Sequence, residues 1–257
     1  MELYIIILCI LAGFIAGVIN TLAGSGSVIT LSLLTFLGLP VNVANATNRI
    51  GILFQTATGT VKFKQAGMLS FNSNWKTILI TTIGAAFGAF FATNMEPEQF
   101  EKSVGFIFIG LFFVLIFRLE KRIENSIFLK KIMPFIMFLV GVYAGFIQAG
   151  AGVFMLAIMS VVWQKKISEL NPIKVFIIFI INLVALAWFG FAGDVNWEMG
   201  ALLAVGQFLG AFVGVKLNNL KKDIEPKLRV LLLILVVISI LKFFRFFELW
   251  ENYWCLS

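Results

Sequence analysis

The chain has 257 residues, of which 60% are hydrophobic and 13% charged, with a net charge of +7; its mean hydropathy is +1.00. That much apolar surface exceeds what a soluble fold can bury, so the chain reads as an integral membrane protein whose basic excess marks one membrane face, not nucleic acid. Histidine is absent and cysteine occurs twice, at Cys9 and Cys255, which excludes Cys/His metal sites, CxxC redox chemistry and histidine proton relays, and no cofactor is expected.

Hydrocarbon requires each backbone polar group to be paired within its own segment, and strict apolar/polar alternation is scarce, so the segments read as helices. In chain order the apolar runs are 3–23, 27–38, 41–63, 77–94, 100–117, 132–149, 152–163, 171–192, 198–216 and 228–247. The opening "MELYIIILCI" lacks a basic stretch and carries Glu2, so it reads as the first membrane segment, not a cleaved signal. All five prolines fall close to run starts, where a missing N–H costs little.

The stretch "VINTLAGSGSVITL", residues 18–31, then places Asn20, Thr21, Gly24, Ser25, Gly26 and Ser27 inside a long apolar region. Run 27–38 is only 12 residues, roughly 18 Å of helix against a hydrocarbon core of about 30 Å. Run 152–163 is equally short. Neither crosses alone, so each is expected to fold back on the run before it as a broken, re-entrant hairpin.

The chain also repeats itself. "GFIAGVINTLAG" (13–24) aligns with "GVYAGFIQAGAG" (141–152), and "GAAFGAF" (84–90) matches "GQFLGAF" (206–212). The reading is a first repeat over 1–120, a cytoplasmic linker over 121–131 and a second repeat over 132–257. Gly84/Gly88 and Gly206/Gly210 have the small-residue spacing that lets helix backbones approach closely, and packing is their expected role.

Charge counting chooses between topologies. If each hairpin were a single crossing, the twenty Lys and Arg would split evenly between the two faces. With re-entrant hairpins, all but Arg49, Lys102, Lys242 and Arg245 gather on one face. The positive-inside rule makes that face cytoplasmic and puts both termini outside. Each repeat then has one hairpin and three transmembrane helices, an odd number of crossings, so the two are inverted and the chain has eight nominal transmembrane segments. Inverted repeats with broken helices that meet near mid-membrane are a plan of secondary transporters.

The glycines at 24–26 and "QAGAG" (148–152) form the expected hairpin tips. A half-helix begins just past each, near Ser27 and Val153, and its free N–H groups present partial positive charge. Two such ends facing each other make an anion site. Asn20, Thr21, Ser25, Ser27 and Gln148 would add donors, and Gly24, Gly26, Gly150 and Gly152 would give backbone access. In "VNVANATNRIGILFQTATGTVKF", Asn45, Asn48/Arg49, Gln55/Thr56 and Gly59/Thr60 fall three to four residues apart, a polar stripe on one helix face. Arg49 lies near that helix's midpoint and is expected to face a cavity or anion, with snorkelling to the interface as the alternative. Lys174 and Asn182 hold roughly corresponding places in the second half. Lys174 is expected to snorkel, while Asn182 reads as a site residue or interhelical glue. "FFRFFELWENYWCLS" reads as an interfacial aromatic belt.

"GFIAGVINTLAGSGSVITLSLLTFLGLPVNVANATNRIG" followed by "GVYAGFIQAGAG" resembles the TauE/SafE family of membrane permeases, through nearly the whole chain. The resemblance implies movement of a small oxyanion, sulfite or an organosulfonate, across the bacterial inner membrane. The expectation is a secondary transporter or facilitator for that anion, working by alternating access. A passive anion channel and a non-transporting scaffold are the alternatives. No Asp or Glu lies well inside a run, so no enzyme is expected; the partners are a small anion and the lipid bilayer, with the oligomeric state open.

Overall fold

The computed structural model of the protein describes residues 2–69, 75–117, 127–163, 165 and 167–220, with 234, 237 and 241. Nine helices occur among them: α1 (Leu3–Leu22), α2 (Ser27–Phe36), α3 (Val41–Gln65), α4 (Trp75–Thr93), α5 (Pro97–Phe117), α6 (Ile127–Phe146), α7 (Ala151–Trp163), α8 (Ile167–Ala192) and α9 (Trp197–Leu220). Among the described residues the fold is all-helical. Most of run 228–247, the aromatic stretch after it and most of the linker lie outside the described residues.

By length and composition, four helical stretches are long and apolar enough to cross a membrane: Leu3–Leu22, Trp75–Thr93, Ser168–Ala192 and Trp197–Asn218. Large apolar side chains point outward, among them Leu3 at 72% exposure and Phe191 at 93%, a surface that suits lipid and not water. The short runs behave as their lengths require. Helix α2 has 10 residues and α7 has 13, about 15 and 20 Å of rise, too little to cross. Each packs against the helix before it, α2 on α1 and α7 on α6.

Two prolines depart from expectation. Pro134 and Pro172 lie inside α6 and α8, which begin at Ile127 and Ile167. Apolar periodicity alone places those starts several residues late, because neighbouring helices in a bundle tolerate the N–H a proline lacks.

Close packing follows the repeated glycines. Helix α1 lies along α9, and α4 lies along α6. At the first seam a Cβ on Gly206 or Gly210 would overlap the Ile10 or Phe14 carbonyl oxygen. At the second, a Cβ on Gly84 or Gly88 would overlap the Phe138 or Val142 carbonyl oxygen. Phe138 and Val142 stand 128 residues beyond Ile10 and Phe14, the spacing of the sequence repeat. The remaining major contacts obey the same exchange: α3 packs on α9, α8 packs on α4, and α3 and α8 meet each other. Each of these major seams therefore joins one half of the chain to the other.

Helix ends are closed locally. Asn196 Oδ1 accepts from the Met199 backbone N–H at 3.0 Å and caps α9, while the Asn196 N–H donates to Thr47 Oγ1 at 2.9 Å. In the same loop Asn42 Nδ2 donates to Asp194 Oδ1 at 3.2 Å. Partial burial pushes the Asp194 carboxyl up from its ordinary value, against the lowering effect of that hydrogen bond.

Candidate functional site

Four residues separate α1 from α2 and four separate α6 from α7. Gly24 and Gly150 adopt φ of 84° and 77°, left-handed conformations that L side chains rarely hold. The two tips touch: a Cβ on Gly24 would stand 2.5 Å from the Gly152 Cα. No side chain fits between them.

Around this contact the chain leaves a pocket with an empty volume of about 220 Å³, its mouth included. The tips contribute Asn20, Gly24, Ser27 and Gln148; α3 contributes Ile52, Gln55 and Thr56; α8 contributes Val175 and Ile178. Five of the lining residues carry polar side chains, and three, Ile52, Val175 and Ile178, are apolar. None of these nine residues is charged.

Asn20 organises the polar part of the lining. Its Oδ1 accepts from the Ser27 N–H at 3.1 Å and Ser27 Oγ at 3.3 Å, so it caps α2 in place of Gly26, which has no side chain to do so. Its Nδ2 is buried and has no hydrogen-bond partner. Gln148 Oε1 accepts from Asn182 Nδ2 at 3.4 Å, and that nitrogen also donates to the Ile178 carbonyl at 2.9 Å. Asn182 thus orients Gln148 from behind.

The other expected site residues lie around the pocket. Thr21 Oγ1 donates to the Gly17 carbonyl at 2.8 Å and accepts from Gln55 Nε2 at 3.1 Å. Asn48 Oδ1 accepts from Thr30 Oγ1 at 2.6 Å and from Gln207 Nε2 at 3.4 Å. Ser25 is fully buried, with its Oγ unpartnered. Gly26 backs onto the Ala16 carbonyl. Thr56 Oγ1 donates to the Ile52 carbonyl of its own helix at 2.6 Å.

Arg49 is fully buried and is not a lining residue. Its Nη1 and Nη2 donate to the Ala144 carbonyl at 3.2 Å each, and Nη2 donates to the Gly145 carbonyl at 2.6 Å. The guanidinium also lies 4.8 Å from the Phe189 ring centroid. Lys174 does not snorkel: it is 0% exposed, and its Nζ donates to the Asn20 and Thr21 carbonyls at 3.0 and 3.3 Å. Asn45 and Asn171 finish the job, donating to the Phe146 carbonyl at 2.9 Å and the Leu22 carbonyl at 3.1 Å. The last-turn carbonyls of α1 and α6, which no helix can satisfy internally, are therefore capped by side chains of the opposite half.

The equivalence carries an offset. Gly13 and Gly17 match Gly141 and Gly145 at a separation of 128, yet the helix ends Leu22 and Phe146 stand 124 apart. Relative to the repeat, α1 runs about one helical turn further than α6 before it breaks.

The sequence model of the family described as Sulfite exporter TauE/SafE matches residues 9–243. The chain belongs to the TauE/SafE family. It is 29% identical over 228 residues to "Probable membrane transporter protein ORF9" of Sinorhizobium sp, covering 86% of each chain. It is 27% identical over 224 residues to a "Probable membrane transporter protein" of Haemophilus influenzae, covering 84% of this chain and 85% of that one. It is also similar to "Probable membrane transporter protein YfcA" of Escherichia coli K12, 25% identical with 84% and 82% covered. No solved structure matches.

In this TauE/SafE chain, sequence reasoning missed Ile52, Val175 and Ile178, the apolar part of the lining. Nothing in a run of apolar residues separates a pocket-facing isoleucine from a lipid-facing one. It also missed what holds the tips. The available signal was the shared pattern of Asn45 with Arg49 and Asn171 with Lys174, an amide three or four residues before a cation on helices at matching places in the repeat.

Proposed function

We propose that this chain is a secondary transporter for a small anion, sulfite or an organosulfonate, which binds in the pocket between the two hairpin tips. The two halves are inverted repeats that together make eight membrane segments, with both termini outside the bacterial inner membrane. The halves rock about the tips, opening the pocket to one face and then the other. The observation that carries the reading is Asn20: its Nδ2 is a buried amide donor without a partner, in a pocket that also receives the N-terminus of α2. A buried donor left unpaired costs about 1–3 kcal/mol, which an oxyanion would recover. The family description and the relatives' names support transport, and the family description supports sulfite.

Purified protein screened by thermal shift against sulfite, sulfoacetate, taurine, sulfate and carboxylates tests the site. A ligand at a hundred times its Kd stabilises by about 2.7 kcal/mol, and we expect sulfite or sulfoacetate to do so. Asn20→Leu should remove that stabilisation and cut anion flux in proteoliposomes by about tenfold or more. If no anion shifts the melting curve, the pocket is not an anion site.

Topology has its own test. In a background lacking the two native cysteines, cysteines at positions 2 and 39 should both react with an impermeant maleimide from outside, and one at position 64 should not. Labelling of 2 and 39 from opposite faces removes the hairpin.

A further inference from the structure

Two buried cations stand outside the pocket, at the ends of the helices that build it. Arg49 and Lys174 are both 0% exposed, and neither forms an ion pair with a described residue. Neither cation therefore has a carboxylate partner there; the hydrogen bonds of each go to backbone carbonyls. Those carbonyls are the C-terminal ends of α6 and α1, each equivalent to about half a negative charge. The N-termini of α2 and α7 contribute about half a positive charge each. Left alone, the four helix ends at the tips cancel and offer an anion little. The two cations break that balance in favour of negative charge.

We infer that Arg49 and Lys174 are positioning residues that set the pocket's preference for anions without touching the anion. This rests on the transport site proposed above. Lys174 acts through Asn20: it holds the Asn20 carbonyl while Asn20 lines the pocket, and its chain neighbour Val175 lines the pocket too. Arg49 acts through the α6 end that leads into Gln148. Because the lining is uncharged, the positive potential comes from one layer behind, through a dry interior where charge acts at longer range than in water. The pocket can then release its anion, since no direct salt bridge holds it.

Purified full-length protein in proteoliposomes tests this with two probes of like size, methanesulfonate as a monoanion and sulfate as a dianion. Coulomb energy scales with ligand charge, so Lys174→Gln should weaken methanesulfonate by about tenfold and sulfate by about a hundredfold. Lys174→Arg keeps the charge and should keep the wild-type ratio between the two probes. If Lys174→Gln does not fold, Asn218→Asp serves instead. Asn218 Oδ1 accepts from Asn171 Nδ2 at 2.7 Å, which an aspartate preserves, and its own Nδ2 has no partner to lose. The added negative charge beside the α1 cap should again weaken sulfate more than methanesulfonate. Equal weakening of the two probes, in either variant, overturns the inference and leaves the site standing. Absence of binding of sulfite, sulfoacetate and both probes to the wild-type protein overturns the transport site itself.

Discussion

Gly88→Val is expected to prevent the protein from assembling in a stable form. A Cβ at Gly88 would overlap the Val142 carbonyl oxygen and stand 2.7 Å from the Phe146 backbone nitrogen. Both are main-chain atoms of α6, which cannot turn aside as a side chain can. Helices α4 and α6 would have to separate along their whole seam, and Thr81 and Ala85 would lose contact with Gly141 and Gly145. Overpacking with side chains costs about 1–3 kcal/mol; forcing backbones apart costs more. Gly210→Val should do the same at the α1–α9 seam, where Phe14 O and Val18 N are the obstacles. Gly110→Val is the control, since a Cβ there meets nothing within 4 Å. Fluorescence-detected size exclusion and melting in detergent separate these outcomes. A Gly88→Val protein that elutes and melts like the wild type would mean the seam is not formed as described.

Arg49→Met is expected to lower stability by about 3 kcal/mol or more. The change removes three N–H···O bonds, and the Ala144 and Gly145 carbonyls lose their guanidinium donors in a dry interior, at about 1–3 kcal/mol per unsatisfied group. For a chain of this size that corresponds to a fall in melting temperature of roughly 6–12 °C. Arg49→Lys should recover only part of the loss, because an ammonium cannot reproduce the fork that engages two carbonyls at once. An unchanged melting temperature for Arg49→Met would show that Arg49 does not cap α6.

The sequence made some of this legible and hid the rest for identifiable reasons. Gly84/Gly88 and Gly206/Gly210 announce close packing by their spacing, and both pairs sit at helix seams. Their partners are not adjacent in sequence, so which helix each would meet was decided by tertiary structure. Asn20 and Gln148 stood out because polar residues in apolar runs are costly, and both line the pocket. Arg49 stood out for the same reason, but the sequence could not say whether an anion or a carbonyl would satisfy it. Lys174 misled because its helix seemed by hydropathy to begin near Pro172, which put the lysine at an interface; α8 begins at Ile167 instead, and the side chain turns inward.

The one-turn difference between the broken helices has a mechanical consequence. In the rocking mechanism proposed above, two halves identical in form would exchange between two states of equal energy, and neither face of the membrane would be favoured at rest. Here one elbow unwinds earlier than the other: the counterparts of Ile19–Leu22, which are helical, are Ile147–Gly150, which are not. If the halves exchange as proposed, they do so between unlike shapes, and the backbone itself would bias the resting state toward one face before any solute or gradient acts.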